Sequence, residues 1–66
     1  MKNTIKVERA KLDLTQQDLA EKVGVSRQTI NSIEADRYVP STVLAIKISH
    51  VFKITVNELF TLEDGD

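Results

Sequence analysis

Before Gly65 the chain has a single glycine, Gly24, and it separates two short segments whose apolar residues recur at three- and four-residue spacing. Leu19, Ala20 and Val23 precede it; Val25, Ile30 and Ile33 follow. A glycine just past the last apolar position of a helical stretch can take a positive φ and close the helix without a side-chain clash. The stretch Gln16 to Ala35, QQDLAEKVGVSRQTINSIEA, therefore reads as two helices of about two turns joined by a tight bend, a helix-turn-helix layout. Ala20 must be small because the second helix crosses close to it. Leu19, Val23, Val25, Ile30 and Ile33 supply the shared apolar seam.

The rest of the chain carries the same period, and Pro40 is its only proline, so the fold class expected is all-α with five short helices. The first spans Thr4 to Leu12, with Ile5, Arg9 and Leu12 on one stripe, Asn3 or Thr4 as its start and Asp13 as its stop. Thr15 and Asp18 form a capping box for the second, Gln16 to Val23, with Asp where Glu or Gln is usual. Ser26 caps the third, Arg27 to Glu34. Residues 35–39 make a loop that Pro40 ends, and Ser41 caps a fourth helix to Phe52 with Leu44, Ala45, Ile48 and Phe52 inward. Thr55 and Glu58 make a second capping box for a short fifth helix. The expected organisation is one domain, residues 1–62, and an acidic, frayed end, residues 63–66.

A chain of 66 residues buries only about 60% of the surface it exposes when unfolded, so a staple, a metal or a partner subunit is expected. With no Cys there is no disulfide, and with His50 alone there is no zinc ligand set. Oligomerisation remains. The apolar face of Val56, Leu59 and Phe60 is large for so short a helix and is the expected homodimer interface, extended by Ile46, Val51, Ile54 and Leu62. No apolar run approaches the ~20 residues needed to span a bilayer and no signal-peptide pattern is present, so the expected location is cytoplasmic. An enzyme fails on inventory: there is no triad around His50 and no Gly-rich phosphate loop. Cofactors and small-molecule ligands are not expected, and a solitary exposed His50 is expected to be inert.

The net charge of -1 conceals an asymmetry. Residues 1–53 hold all nine Lys and Arg but six of the ten acids, whereas the last thirteen hold four acids and no base. A basic face, if used on nucleic acid, belongs to the body, and the acidic end is kept from a phosphate backbone.

The segments LTQQDLAEKVGVSRQTINSIE (14–34), YVPSTVLAIKISHVF (38–52) and VNELF (56–60) resemble the helix-turn-helix regulators related to lambdoid phage repressor and Cro proteins, the xenobiotic-response-element family. The resemblance covers nearly the whole chain. It implies a five-helix, lambda-repressor-like domain that binds double-stranded operator DNA as a homodimer, has no enzymatic activity and regulates transcription, commonly as a repressor on a pseudo-palindromic site. It places the helix 27–34 in the major groove. With Ile30 and Ile33 inward, Arg27, Gln28, Thr29, Asn31 and Ser32 are the expected base contacts, since Arg can pair with guanine and Gln or Asn with adenine. Gln16, Ser26, Arg37 and Tyr38 are the expected phosphate contacts, with Lys22 and Lys47 weaker. In relatives the residues matching Arg9 and Glu34 form a partly buried ion pair, and both are present. Many relatives carry Leu where this chain has Glu8; Val7 is expected to compensate. A competing reading is a protein-binding module, an antitoxin or co-regulator acting through a regulatory protein partner; the outward set Arg27, Gln28 and Asn31 favours DNA.

Overall fold

Side-chain caps decide where most helices begin. In the computed structural model, which describes residues 1–66, the order is β1 (Lys2–Asn3), α1 (Ile5–Lys11), α2 (Gln16–Val23), α3 (Arg27–Glu34), α4 (Thr42–Phe52), α5 (Val56–Leu59) and β2 (Phe60–Thr61). Thr15 and Asp18 close a reciprocal capping box at 3.0 Å in each direction. The amide of Thr15 holds the Asp18 carboxyl below its ordinary range. Ser26 and Ser41 each accept the third amide of their helix at 3.2 Å, and Thr55 and Glu58 repeat the box at α5. Gly24 sits at φ 77° and donates to the Ala20 carbonyl at 2.9 Å, ending α2 in the left-handed turn its type permits.

At α1 the two candidate starts divide the work. Thr4 occupies the cap position without a side-chain bond, while Asn3 Oδ1 accepts from the Ile5 amide at 3.1 Å. Leu12 is not on a buried stripe with Ile5 and Arg9 as expected: the helix has ended, Asp13 turns at φ 56°, and Leu12 is 52% exposed. Val7 does not compensate for Glu8 either. It is exposed, whereas the Glu8 side chain is largely covered and accepts from Lys11 Nζ at 3.1 Å.

The core is one cluster in which Ile5, Leu19, Ala20, Ile30, Ile48 and Leu59 are wholly buried, with Val23, Ile33, Leu44, Ala45, Phe52 and Phe60 around them. α2 packs on both α3 and α4, so the bend at Gly24 is clamped from two sides. Leu59 and Phe60 belong to this core, which corrects their expected place in a dimer interface; Val56 is half-buried at its edge. The reason is a pairing that the helical period does not reveal. β1 and β2 align antiparallel, Lys2 opposite Thr61 and Asn3 opposite Phe60, and the Thr4 amide donates to the Leu59 carbonyl at 3.0 Å. This draws the end of α5 onto the core, where each large side chain contributes about 1.5–3 kcal/mol on burial. Five helices are present, and the two-residue strands are an addition to the all-α expectation. Residues 63–66 form an exposed turn in which Glu63 and Asp66 meet the Met1 amine at 3.2 and 3.0 Å.

Candidate nucleic-acid interface

The face opposite the core on α3 follows from its period. Ile30 and Ile33 are 0% and 1% exposed, so Arg27, Gln28 and Asn31 lie on the solvent side, with Thr29 and Ser32 half-buried at its margins. The helix is held from three directions. Ser26 caps its start, α2 packs along its apolar side, and Asn3 Nδ2 donates to the Ile33 carbonyl at 2.9 Å and to Asp36 Oδ1 at 3.2 Å. Asn3 thereby adds a second donor to a carbonyl at the helix end that already accepts from the Asp36 amide at 3.0 Å.

Arg9 and Glu34 form the ion pair that the resemblance implied. Arg9 Nε meets Glu34 Oε2 at 2.6 Å and its second arm meets Oε1 at 2.9 Å, a bidentate fork with both side chains largely buried. A third bond runs from Arg9 to the Leu14 carbonyl at 2.9 Å, fixing the turn before α2. Hydrogen bonding to Glu34 raises the Arg9 pKa further, so this cation is permanent.

The expected phosphate contacts are placed unequally. Arg37 and Tyr38 are exposed in the loop after α3 and line, with Gln28, Thr29 and Ser32, a shallow hollow of about 380 Å³. Three of the expected base contacts and two of the expected phosphate contacts thus share one concavity. Gln16 lies on the opposite side of α3, in a second hollow with Arg27, Thr15 and Gln17. Its side chain is engaged within the protein: Nε2 donates to Glu34 Oε1 at 3.2 Å, and Oε1 accepts from Asn31 Nδ2 at 3.5 Å. Asn31 Oδ1 in turn accepts from Arg37 at 3.0 Å. The Ser26 hydroxyl is shared between the cap and the Thr29 hydroxyl, 3.0 Å away. Lys47 lies nearer this face than expected, on the rim of a hollow with Thr29 and Tyr38, whereas Lys22 lines a hollow with Leu14, Asp18 and Glu21.

Gln17 was missed by sequence reasoning. It follows Gln16 at the start of α2, is exposed, and shares the hollow with Arg27 while donating to Glu21 at 3.1 Å. Its signal was adjacency alone, since the second residue of a capped helix faces out beside the first.

No helix is long and apolar enough to cross a membrane. Residues 5–59 match the helix-turn-helix family. An uncharacterized helix-turn-helix-type transcriptional regulator of Methanocaldococcus jannaschii is 50% identical over the full length of both chains. The similarly named YgzD of Bacillus subtilis is 45% identical over 97% of each chain, and a regulator of Archaeoglobus fulgidus is 45% identical over all of this chain and 94% of its own. With the geometry of α2 and α3, these likenesses establish that the chain belongs to the Cro/C1-type helix-turn-helix family of non-enzymatic, DNA-binding transcriptional regulators.

Proposed function

We propose that this protein is a sequence-specific repressor that binds a pseudo-palindromic operator as a homodimer in the cytoplasm, with α3 in the major groove of each half-site. The observation that carries the reading is the outward set Arg27, Gln28 and Asn31 on a helix whose other face is locked into the core. Arg27, Gln28, Thr29, Asn31 and Ser32 read base edges in this proposal, and Arg37 and Tyr38 clasp phosphates from the rim of the shared hollow. Gln16 and Ser26 contribute to the backbone contact through the start of α2 and the cap of α3. Repression follows from occupancy, because a domain seated on an operator that overlaps a promoter excludes polymerase.

The dimer surface moves from Leu59 and Phe60 to the apolar surface beside them. Val39 and Ile46 are exposed, and with Pro40, Val56, Met1 and Phe60 they line a groove of about 350 Å³. A second copy seated there would supply burial that so small a chain lacks and set two copies of α3 roughly 34 Å apart. Control then rests on concentration or on a regulatory protein partner competing for the same groove.

Selection from a random duplex library, with the mass of the complex measured in the same buffer, tests the proposal. An enriched two-fold motif with half-sites about one helical turn apart, bound by two chains, supports it. No enrichment at low salt sinks it in favour of a protein-binding module. Repression is tested with the selected site placed over a reporter promoter, where rising protein should lower transcription.

A further inference from the structure

We propose that Glu34, acting through Gln16, is a positioning residue that fixes the amide polarity of Asn31 and so makes Asn31 select adenine. This rests on the reading of α3 as the base-reading helix. Two groups at this face have a hydrogen-bonding sense that cannot be reversed. The Glu34 carboxylate, in its ion pair with Arg9, only accepts; the Arg37 guanidinium only donates. Gln16 and Asn31 lie between them, and each carries an amide that can face either way.

Glu34 Oε1 lies 3.2 Å from the Gln16 amide, so Gln16 must offer it Nε2. Gln16 Oε1 then faces Asn31, which must answer with Nδ2, at the long distance of 3.5 Å. Asn31 Oδ1 is left to face Arg37, at 3.0 Å, and a donor is what stands there. Both ends of the chain dictate the same orientation for both amides. The anchored end is also the immobile one: the Glu34 side chain is 8% exposed and gripped by two arms of Arg9, and Gln16 is half-buried.

The consequence for recognition is specific. One hydrogen of Asn31 Nδ2 is taken by Gln16, and the other remains. Oδ1 is covered by Arg37 only in the free protein, and it is released when Arg37 turns to a phosphate. Asn31 then presents an acceptor beside a donor, the complement of the adenine N6 amine and N7 acceptor. Guanine offers two acceptors and thymine O4 a single one, so neither meets Oδ1 with a hydrogen. Without Gln16 the Asn31 amide is free to turn over, and its donor can meet guanine O6 or thymine O4 as readily as its acceptor meets adenine.

The test is library selection with the wild type, Gln16→Leu, Asn31→Ala and the double variant, read as base preference at each position. Thermal melts followed by circular dichroism verify that each is folded. The wild type should show one position per half-site whose preference depends on Asn31, with adenine favoured over guanine there by ~10-fold. Gln16→Leu should reduce that ratio to within ~2-fold and leave the other positions unchanged; in the Asn31→Ala background it should change nothing further at that position. Glu34→Gln, whose neutral amide can face Gln16 either way, should reproduce the Gln16→Leu profile at a temperature where it is folded. A motif in which no position depends on Asn31, or one where it favours guanine or thymine, overturns the proposal. So does a Gln16→Leu variant that keeps the adenine preference; a uniform loss of affinity, expected from its backbone contact, leaves that ratio unmoved and does not substitute for it. Failure of the wild type to enrich any motif is a different result, because it removes the base-reading function itself.

Discussion

Replacing Arg9 by Met tests how much of this small domain depends on one ion pair. The substitution keeps the aliphatic stem but removes both bonds to Glu34 and the bond to the Leu14 carbonyl. Glu34 is left with Gln16 alone, its side chain 8% exposed and its charge uncompensated. Breaking a buried pair by removing one partner costs about 3–5 kcal/mol, and the 14% exposure of Arg9 places this case at the lower end, near ~3 kcal/mol. The lost carbonyl bond adds about 1 kcal/mol. A domain of 66 residues has a total stability of about 3–10 kcal/mol, so the variant should be partly or wholly unfolded at 25 °C, or melt at least ~16 °C lower. Urea titration and thermal melts by circular dichroism give the number. The cost lies in the stranded charge, so Arg9→Met with Glu34→Met should recover most of it, with a coupling energy above ~2 kcal/mol in the double-mutant cycle. A single variant that loses less than ~1 kcal/mol, or a double variant that is additive, would refute the reasoning, because the pair would then behave as an exposed one.

Arg27→Ala should cost ~1–3 kcal/mol of operator binding and relax one base position, whereas Arg37→Ala should weaken cognate and random duplexes alike and lower the salt slope by about 1; titrations at several salt concentrations separate the two. Leu59→Glu should abolish folding, since Leu59 is wholly buried, while Ile46→Glu should leave the melt in place and lower the sedimentation mass. An unchanged mass for Ile46→Glu would remove the groove as the dimer surface. Lys53 caps α4 at φ 56°, so Lys53→Gly should gain about 0.5–1 kcal/mol in urea, the left-handed strain relieved less the entropy glycine adds to the unfolded chain. Asp18, its pKa held down by the Thr15 amide, contributes stability that is present above its unfolded value near pH 4 and is lost as pH falls through the lower folded one. The difference in melting temperature between wild type and Asp18→Ala should therefore be constant from neutrality down to about pH 4 and close below it.

The helices and the bend between α2 and α3 follow from signals local to the chain. Thr15, Ser26, Ser41 and Thr55 each bond an amide three residues on, and Gly24 closes onto Ala20, so every one of these signals acts within about one helical turn of its cause. The outward placement of Arg27, Gln28 and Asn31 was legible for the same reason, because a period of 3.6 fixes which residues oppose Ile30 and Ile33. The Arg9 to Glu34 pair spans 25 residues and came from the family resemblance, not from any local rule. The remaining features depend on contacts between distant parts of the chain. The β1 and β2 strands lie at opposite ends of the chain and are too short to show alternation, so nothing in the sequence distinguished Leu59 and Phe60 as core from an apolar face left for a partner. The Gln16 and Asn31 amides likewise look free as residues of two separate helices. Their commitment to each other, and to Glu34 and Arg37, exists only because packing sets α2 beside α3 at hydrogen-bonding distance, where the fixed sense of a carboxylate and a guanidinium leaves each amide one way to turn.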